Sequence, residues 1–580
     1  MTIKMKTNRL ASNSFRTLPG LLVLCFILLG SLCLYAEDYQ WAITVDKVIL
    51  PGTTNDHPRA FLWIPPNCKQ VRAIVIGQNN MEEPTILADP KFRKAMGELG
   101  FAEIFITPHL GSIHFRYDLG AGEVLEQLLK DFGKLSGYQE LQFASLVPIG
   151  HSAMAMFPFD IGLWKPERTL AALSVSGMWP YFHDEKPGNP HGSPVWGDRN
   201  IDGVPFLVTK GEYEVNVKSI WAGWYGGVRG DFATRYPKTV LTQVVEPGYG
   251  HFEVSDEKIN FLILYLRKVA QYRLPARSPL DAPVVLKPIN PQDGWLYDGW
   301  RLDQAPAAPA DAYNHYRGKK EETFFAFDKE LAQAIEKFQS GHRGKNLLVL
   351  SFRTKSGVVP HAGDHVDCYP PFEPLDDGIT FQVSGVFSDR YPWPSGKREE
   401  HPFNKGDLMA TPAGEENRIV AKRICGAGIE TGPNTFAVNL DRTISKIALG
   451  KSLSLSLWLD YPGNDKFKGT VQQGEVKFWP NSKGQAQEIQ FPQIPDQRAA
   501  EFMPPVKLAA TSSAGLPVRY FVREGPAEVD DTGKLSFTRI PPRSVYPIKV
   551  TVVAWQWGRS TPPMVQTAPL VEQTFWIVNH

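Results

Sequence analysis

The chain has 580 residues, too many for one hydrophobic core, so it is expected to divide into two to four domains. Its 62 Lys and Arg balance 61 Asp and Glu, which leaves no basic field for nucleic acid and no acidic tail for a charged partner. Aromatic residues make up 12% of the chain and include 15 Trp, enough rigid rings for pockets or sugar-stacking platforms as well as for β-sandwich cores.

Lys4, Lys6, Arg9 and Arg16 precede the apolar run "LLVLCFILLGSLCLYA", and Glu37 and Asp38 follow it. That is the pattern of an export signal (residues 1–36) cleaved after Ala36. A signal anchor is the alternative, but the run is short for a bilayer crossing of roughly 20 residues. Leu32 stands before Cys33 where a lipoprotein would need a small residue. The expected location is a periplasm or the extracellular space, with no stable membrane span after cleavage. Of the cysteines that remain, Cys68, Cys368 and Cys425, the last two lie in one region and are the expected pair if a disulfide forms.

Residues 37–274 alternate between short apolar runs and helical patterns. "WAITV", "AFLWIP", "RAIVIG", "FAEIFIT", "FASLVPI", "LAALSVS", "VPFLVT" and "VLTQVV" read as buried strands. Asp89 is placed to cap a helix that opens with Pro90 and closes at Gly100. Val124, Leu125, Leu128, Leu129 and Phe132 share one helical face, and "DEKINFLILYLRKVA" supplies a last helix after Ser255. Strands alternating with helices predict a mostly parallel sheet covered on both faces.

Residues 275–320 are rich in Pro and read as a stiff linker or wrapped connection. Residues 321–500 read as a β-rich accessory domain, opened by one helix that Asp328 caps and that carries Leu331, Ile335 and Phe338 on one stripe. In residues 501–580, alternating strands are separated by Gly-Leu-Pro and Asp-Thr-Gly turns, the pattern of a small sandwich. Gly515, Leu516, Pro517, Gly525 and Pro526 match a "SGLPV…GPA" pattern, and on them the segment resembles bacterial immunoglobulin-like modules. That resemblance implies a spacer or attachment unit and nothing about catalysis.

The chemistry concentrates in three places. "VPIGHSAMAMFP" puts Ser152 between a strand and a helix; "KGEYE" puts Glu212 and Glu214 just after another strand; "EPGYGH" puts His251 before the last helix. A serine hydroxyl needs a base to become a nucleophile, and the base needs an acid to hold its tautomer. The chain order Ser, acid, His on three loops that follow strands is that of the α/β-hydrolase superfamily, which residues 41 to about 272 resemble through Gly150-His151-Ser152, Gly211–Glu214 and Gly250-His251. The likeness looks nearest to secreted bacterial esterase-like members with β-rich tails. It implies Ser152 as nucleophile, His251 as base and Glu214 as acid, because the acid stands three residues after the strand-ending Gly; Glu212 is the alternative. It also implies an oxyanion hole from the backbone N–H of Ala153 and of Gln78 or Asn79. One departure is Met154, where the elbow motif has a second small residue.

Further candidates line the path to the serine. The insertion "MWPYFHDEKPGNPHGSPVWGDRN" offers Trp179, Tyr181, Phe182 and Trp196 as walls of an acyl or sugar pocket, or else is a Pro-stiffened surface loop. Trp221, Trp224 and Tyr225 extend the same rim. "HAGDHVDC" clusters His361, Asp364, His365, Asp367 and Cys368, but the spacing matches no zinc pattern and reads as a polar loop rather than a metal site.

The expectation is a multidomain, exported serine hydrolase that cleaves an extracellular ester without a cofactor, with acyl groups on plant polysaccharide as the first substrate class. Two alternatives stand beside it: a serine peptidase, and a disabled hydrolase fold whose β-modules serve glycan binding or adhesion.

Overall fold

The computed structural model describes residues 39–46, 57–110, 113–177, 187–189, 192–212, 234–301, 304–362, 367–393, 403–444 and 452–579. The export signal, Trp179, Tyr181, Phe182, Glu214 and Trp224 lie outside them.

Each of the eight apolar runs of the first part forms a strand: β1 (Trp41–Thr44), β2 (Arg59–Trp63), β3 (Ala73–Gln78), β4 (Phe101–Thr107), β5 (Ser145–His151), β6 (Ala172–Val175), β7 (Pro205–Gly211) and β8 (Val240–Glu246). They make one sheet in the order β1-β2-β4-β3-β5-β6-β7-β8, in which only β2 runs against the others. Every residue of β3 to β8 is buried, as parallel strands covered on both faces must be. The sheet is thus mostly parallel, and Ser152, Glu212 and His251 all follow the C-terminal ends of its strands β5, β7 and β8.

The helices follow their caps. α1 (Glu83–Ala88) leads into α2 (Pro90–Leu99), where the Asp89 carboxylate accepts the N–H groups of Lys91 and Phe92, and Gly100 closes the helix at φ +72°. α3 (Ala121–Ser136) buries Val124, Leu125, Leu128, Leu129 and Phe132. α4 (Phe157–Trp164) follows β5, and α5 (Asp256–Arg273) begins where Ser255 Oγ accepts the Lys258 N–H.

One boundary differs from the sequence reading. β9 (Trp295–Asp298), β10 (Asp311–Ala312), β11 (Thr323–Ala326) and α6 (Lys329–Ser340) close over the β8 side of the first core. The Tyr297 hydroxyl donates to the Gln243 carbonyl at 2.7 Å and accepts its N–H at 2.9 Å, and Thr242 Oγ1 donates to the Phe325 carbonyl. Phe324, Phe325, Phe327, Leu331 and Ile335 are buried in the same cluster as the large sheet. Only the stretch up to about residue 294 runs as a connection; the rest extends the first domain, because β8 would otherwise leave its outer edge and apolar face to water.

A second core gathers around the three strands Val420–Gly426, Leu453–Tyr461 and Thr470–Phe478, with Leu455, Leu457, Leu459 and Val476 at its centre. A third lies between a four-stranded and a three-stranded sheet and joins Ile489 and Phe491 to Val550, Val552, Phe575 and Ile577. The C-terminal unit therefore starts near residue 489, ahead of the expected 501. It also reaches back to the first domain: Arg543 donates to the Glu140 carboxylate at 2.6 and 3.0 Å and lies over the Tyr138 ring. The expected Cys368–Cys425 disulfide is not formed: Cys368 is seated against His361, and Cys425 lies in the strand that faces α1.

Glu103 on β4 is an acid placed inside the sheet. It is fully buried, Arg93 Nε donates to its Oε2 at 3.2 Å, and its Oε1 has no hydrogen-bond partner. Burial pushes its carboxyl up to about 8, with the Arg93 charge pulling only partly the other way. A carboxyl whose folded value exceeds its unfolded value stabilises the fold fully below the unfolded range, and that contribution is lost as pH rises toward 8. Melting curves at pH 5 and pH 8.5 should therefore differ less for Glu103→Gln than for the wild type. An equal or larger difference would show that Glu103 is ionised in the fold.

Candidate active site

β5 ends at His151, and the chain turns through a short 3₁₀ segment, Ser152–Met156, into α4. Ser152 takes φ +52°, a region a non-glycine residue adopts only when its surroundings hold it there. The surroundings are explicit. A Cβ on Gly150 would lie 2.0 Å from the Met154 carbonyl oxygen, and one on Gly177 would lie 2.1 Å from the Ala155 Cβ. Met154 is buried, and the close approach of Gly177 falls one position later, on Ala155.

The strained turn presents Ser152 Oγ 2.6 Å from His251 Nε2. Both side chains are partly exposed, so the pair is within reach of solvent. With Nε2 facing the hydroxyl, the imidazole can take the serine proton as the oxygen attacks. The two residues are 99 apart in the chain and meet only because β5 and β8 end at the same edge of the sheet.

Around this pair lies a buried polar frame. His151 Nε2 donates to the His251 carbonyl at 2.7 Å and stands 3.4 Å from Glu82 Oε1. Glu83 Oε1 accepts the His151 N–H at 2.6 Å, and its Oε2 accepts those of Asn80 and Met81. Asn80 Nδ2 donates to the His151 carbonyl at 2.8 Å. Burial pushes the Glu83 carboxyl up to about 7 against the pull of these N–H donors, and it pushes Glu82 up to about 8 against the Lys258 ammonium.

The oxyanion hole needs correction at one position. The Asn79 N–H donates to the Ile106 carbonyl at 2.7 Å, because the β3–β4 ladder runs one residue past Gln78, so this amide is engaged inside the fold. With the Asn80 and Met81 amides on Glu83, three successive N–H groups of that loop are taken. Gln78 is wholly buried; its Oε1 accepts the Leu110 N–H, and its Nε2 has no hydrogen-bond partner. Ala153 stands second in the 3₁₀ turn, where an N–H precedes any acceptor of its own turn.

Glu212, the alternative acid, is held elsewhere. Its Oε1 lies 2.6 Å from the Lys468 ammonium and its Oε2 accepts the Gly248 N–H at 2.8 Å. Trp196, read as a pocket wall, is 1% exposed and belongs to the main hydrophobic cluster beside Tyr236. The correction follows from size: a whole indole gains more from burial in the core than from one exposed face.

The His-Asp-Cys cluster resolves into a hydrogen-bond hub. Asp367 Oδ2 takes His361 Nδ1 at 2.6 Å, Trp393 Nε1 at 2.9 Å and Gln472 Nε2 at 3.3 Å, while His361 Nε2 faces Ser351 Oγ at 2.9 Å. Three N–H donors meet on one oxygen of this buried carboxylate, and the ligand atoms of His361, Asp367 and Cys368 all lie within 4.8 Å of one another. Asp364 and His365 lie outside the described residues.

Sequence reasoning missed Glu82, Glu83, Lys258 and Lys468. The signal for the first two was two adjacent acids in "NNMEEP", directly after a buried strand. No helix among the described residues is long and apolar enough to cross a membrane.

No family profile and no curated protein sequence matches the chain. Among solved structures it is similar to an S-formylglutathione hydrolase from Agrobacterium tumefaciens, at 14% identity over 41% of this chain and 96% of that one, TM-score 0.28. It is similar to Est1E from Butyrivibrio proteoclasticus at 15% identity over 40% and 96%, TM-score 0.26. A dienelactone hydrolase from Anabaena variabilis aligns at 17% identity over 40% and 98%, TM-score 0.26.

Proposed function

We propose that the chain is a serine hydrolase that cleaves esters through an acyl-enzyme, with Ser152 as nucleophile and His251 as general base. The observation that carries this reading is the 2.6 Å approach of Ser152 Oγ to His251 Nε2 at a turn where Ser152 is held at φ +52°. A serine fixed in a sparsely populated conformation with a base on its hydroxyl is built for attack rather than for the turn itself.

Ser152 Oγ attacks the acyl carbon while its proton passes to Nε2. The Ala153 N–H, with a second donor near Gln78, stabilises the oxyanion. The imidazolium then protonates the leaving alcohol, and a water activated by the same nitrogen releases the acid. Glu214 is the acid in this reading, on its place three residues after the strand-ending Gly211, while Glu212 binds the Lys468 ammonium and the Gly248 N–H.

The substrate class in this proposal is an acylated polysaccharide outside the cell, met by an exported enzyme whose C-terminal immunoglobulin-like unit spaces or attaches it. Beyond the export pattern, an exposed aromatic face supports it: Trp479 is 63% exposed and lines a groove of about 450 Å³ with Tyr369, Phe372 and Trp557. Such faces stack on sugar rings at small entropic cost.

The test is a fluorophosphonate probe on the purified protein, followed by peptide mapping and a panel of acetyl, feruloyl and short-chain esters. Labelling confined to Ser152 and absent from Ser152→Ala is the expected result. A folded protein that takes no label has an incompetent elbow, and the binding or adhesion reading would replace this one.

A further inference from the structure

The strand Thr470–Phe478 and its two neighbours, Leu453–Tyr461 and Val420–Gly426, do not stand apart from the site as a separate module would; they close on three of its loops. On the histidine loop, Tyr249 and Phe252 pack with Trp458, Ile424 and Val471, and a Cβ on Gly250 would lie 2.2 Å from Gln473 Nε2. On the loop after β3, Met81 joins the same cluster, and from α1, which follows at once, Thr85 Oγ1 donates to the Ile424 carbonyl. At the end of β7, the Lys468 ammonium binds the Glu212 carboxylate, whose other oxygen holds the Gly248 N–H three residues before His251.

The last contact is the most directional. Lys468 is 1% exposed and Glu212 10%, so the pair is shielded from water and loses little to salt. Its geometry is pinned on both sides. Gly248 takes φ +79°, a Cβ there would lie 2.1 Å from the Gly469 carbonyl oxygen, and the Gly469 N–H donates to His342 Nδ1 at 2.9 Å. Gly211 meets the same loop from β7, where a Cβ would lie 2.0 Å from the Gly250 carbonyl oxygen. A chain segment so tightly packed cannot shift by a fraction of an ångström without moving His251 with it.

We propose that Lys468, from the β-rich domain, is a positioning residue for catalysis: with Glu212 and the Gly248 amide it forms a clasp that sets where His251 stands over Ser152. The proposal rests on the serine-hydrolase reading and adds that the second domain is part of the working site. Lys468 touches no substrate; it acts through Glu212 and the loop.

The experiment compares wild type, Lys468→Met, Glu212→Gln and the double variant in the full chain. It measures kcat and KM on an ester from the panel, and the rate of inactivation by the fluorophosphonate, well below each protein's melting midpoint. Lys468→Met keeps the aliphatic stem, and Glu212→Gln keeps an acceptor for Gly248 if the first variant fails to fold. Misplacing a catalytic group by about 1 Å costs on the order of 100-fold, so kcat and the inactivation rate are each expected to fall about 10- to 100-fold, with KM within threefold of wild type. The double variant should lose no more than the worse single, since the two side chains act as one unit. Wild-type inactivation rates in either folded single variant would overturn the clasp, as would independent, multiplying losses or a change confined to KM. A wild-type protein that never takes the probe would overturn the serine-hydrolase reading itself, and the clasp with it.

Discussion

Ser152→Ala and His251→Ala are each expected to lower kcat on a good ester substrate by about 10⁴- to 10⁶-fold, and the double variant should be no slower than the worse single. The reason is that neither group does its work alone. With an ordinary alcohol the Oγ proton must leave as the bond forms, and Nε2 at 2.6 Å is the acceptor placed to take it. Remove the imidazole and the hydroxyl is too weak a nucleophile; remove the hydroxyl and the imidazole has no proton to collect. What survives in both cases is whatever the oxyanion donors and substrate binding supply, about 10³-fold over water, and that floor is common to all three variants. Losses that multiply in the double variant would mean the two side chains contribute separately, which the geometry of one shared hydrogen bond does not allow.

The parts of this architecture that could be read from the chain are those whose cause is local. A run such as "RAIVIG" buries every side chain on both faces, so apolarity alone marks it as a central strand, and the eight runs are the eight strands. Asp89, Ser255 and Asp328 cap helices because the donors they satisfy lie two or three residues on. Ser152 and His251 were singled out by their order relative to those strands, and the structure brings the two side chains together. What escaped depends on partners far along the chain. The Asn79 amide was taken for a free donor because nothing in "GQNN" tells how far the ladder with β4 continues. Trp196 was taken for a pocket wall because composition cannot distinguish a ring under a loop from one on it. The Pro-rich stretch was composed like a linker, yet β9 lies inside it and β11 just past its end, and they close over the β8 side of the sheet. Glu212 and Lys468 lie 256 positions apart, and each reads in isolation as a solvated charge.

Lys258→Met is expected to destabilise the fold by about 3–5 kcal/mol, more than any surface charge removal could. Lys258 is 1% exposed, and its ammonium lies 3.1 Å from Glu82, 3.4 Å from Glu246 and 3.4 Å from Glu253, with the Glu253 carbonyl accepting at 2.7 Å. One buried cation thus faces three buried carboxyl groups. Burial raises Glu82 to about 8 and drives Glu253 well above the carboxylate range, with the like charge of Glu246 adding to both; those same acids hold the Lys258 ammonium well above its ordinary value. A methionine fills similar space but leaves any ionised carboxylate there without its counter-charge. Glu82 and Glu253 have folded values above their unfolded ones, so their contribution to stability is fully present below the unfolded range and is lost as pH rises through the folded values. Loss of the cation raises those folded values further. The deficit in melting temperature between Lys258→Met and wild type should therefore be smaller at pH 5 than at pH 8.5. Since Glu82 also stands 3.4 Å from His151, which donates to the His251 carbonyl, the fluorophosphonate rate should fall in the same variant before the fold melts. A deficit that is the same at pH 5 and pH 8.5 would mean that Glu82 and Glu253 hold the same number of protons with and without the cation, and the linkage between Lys258 and these acids would fail.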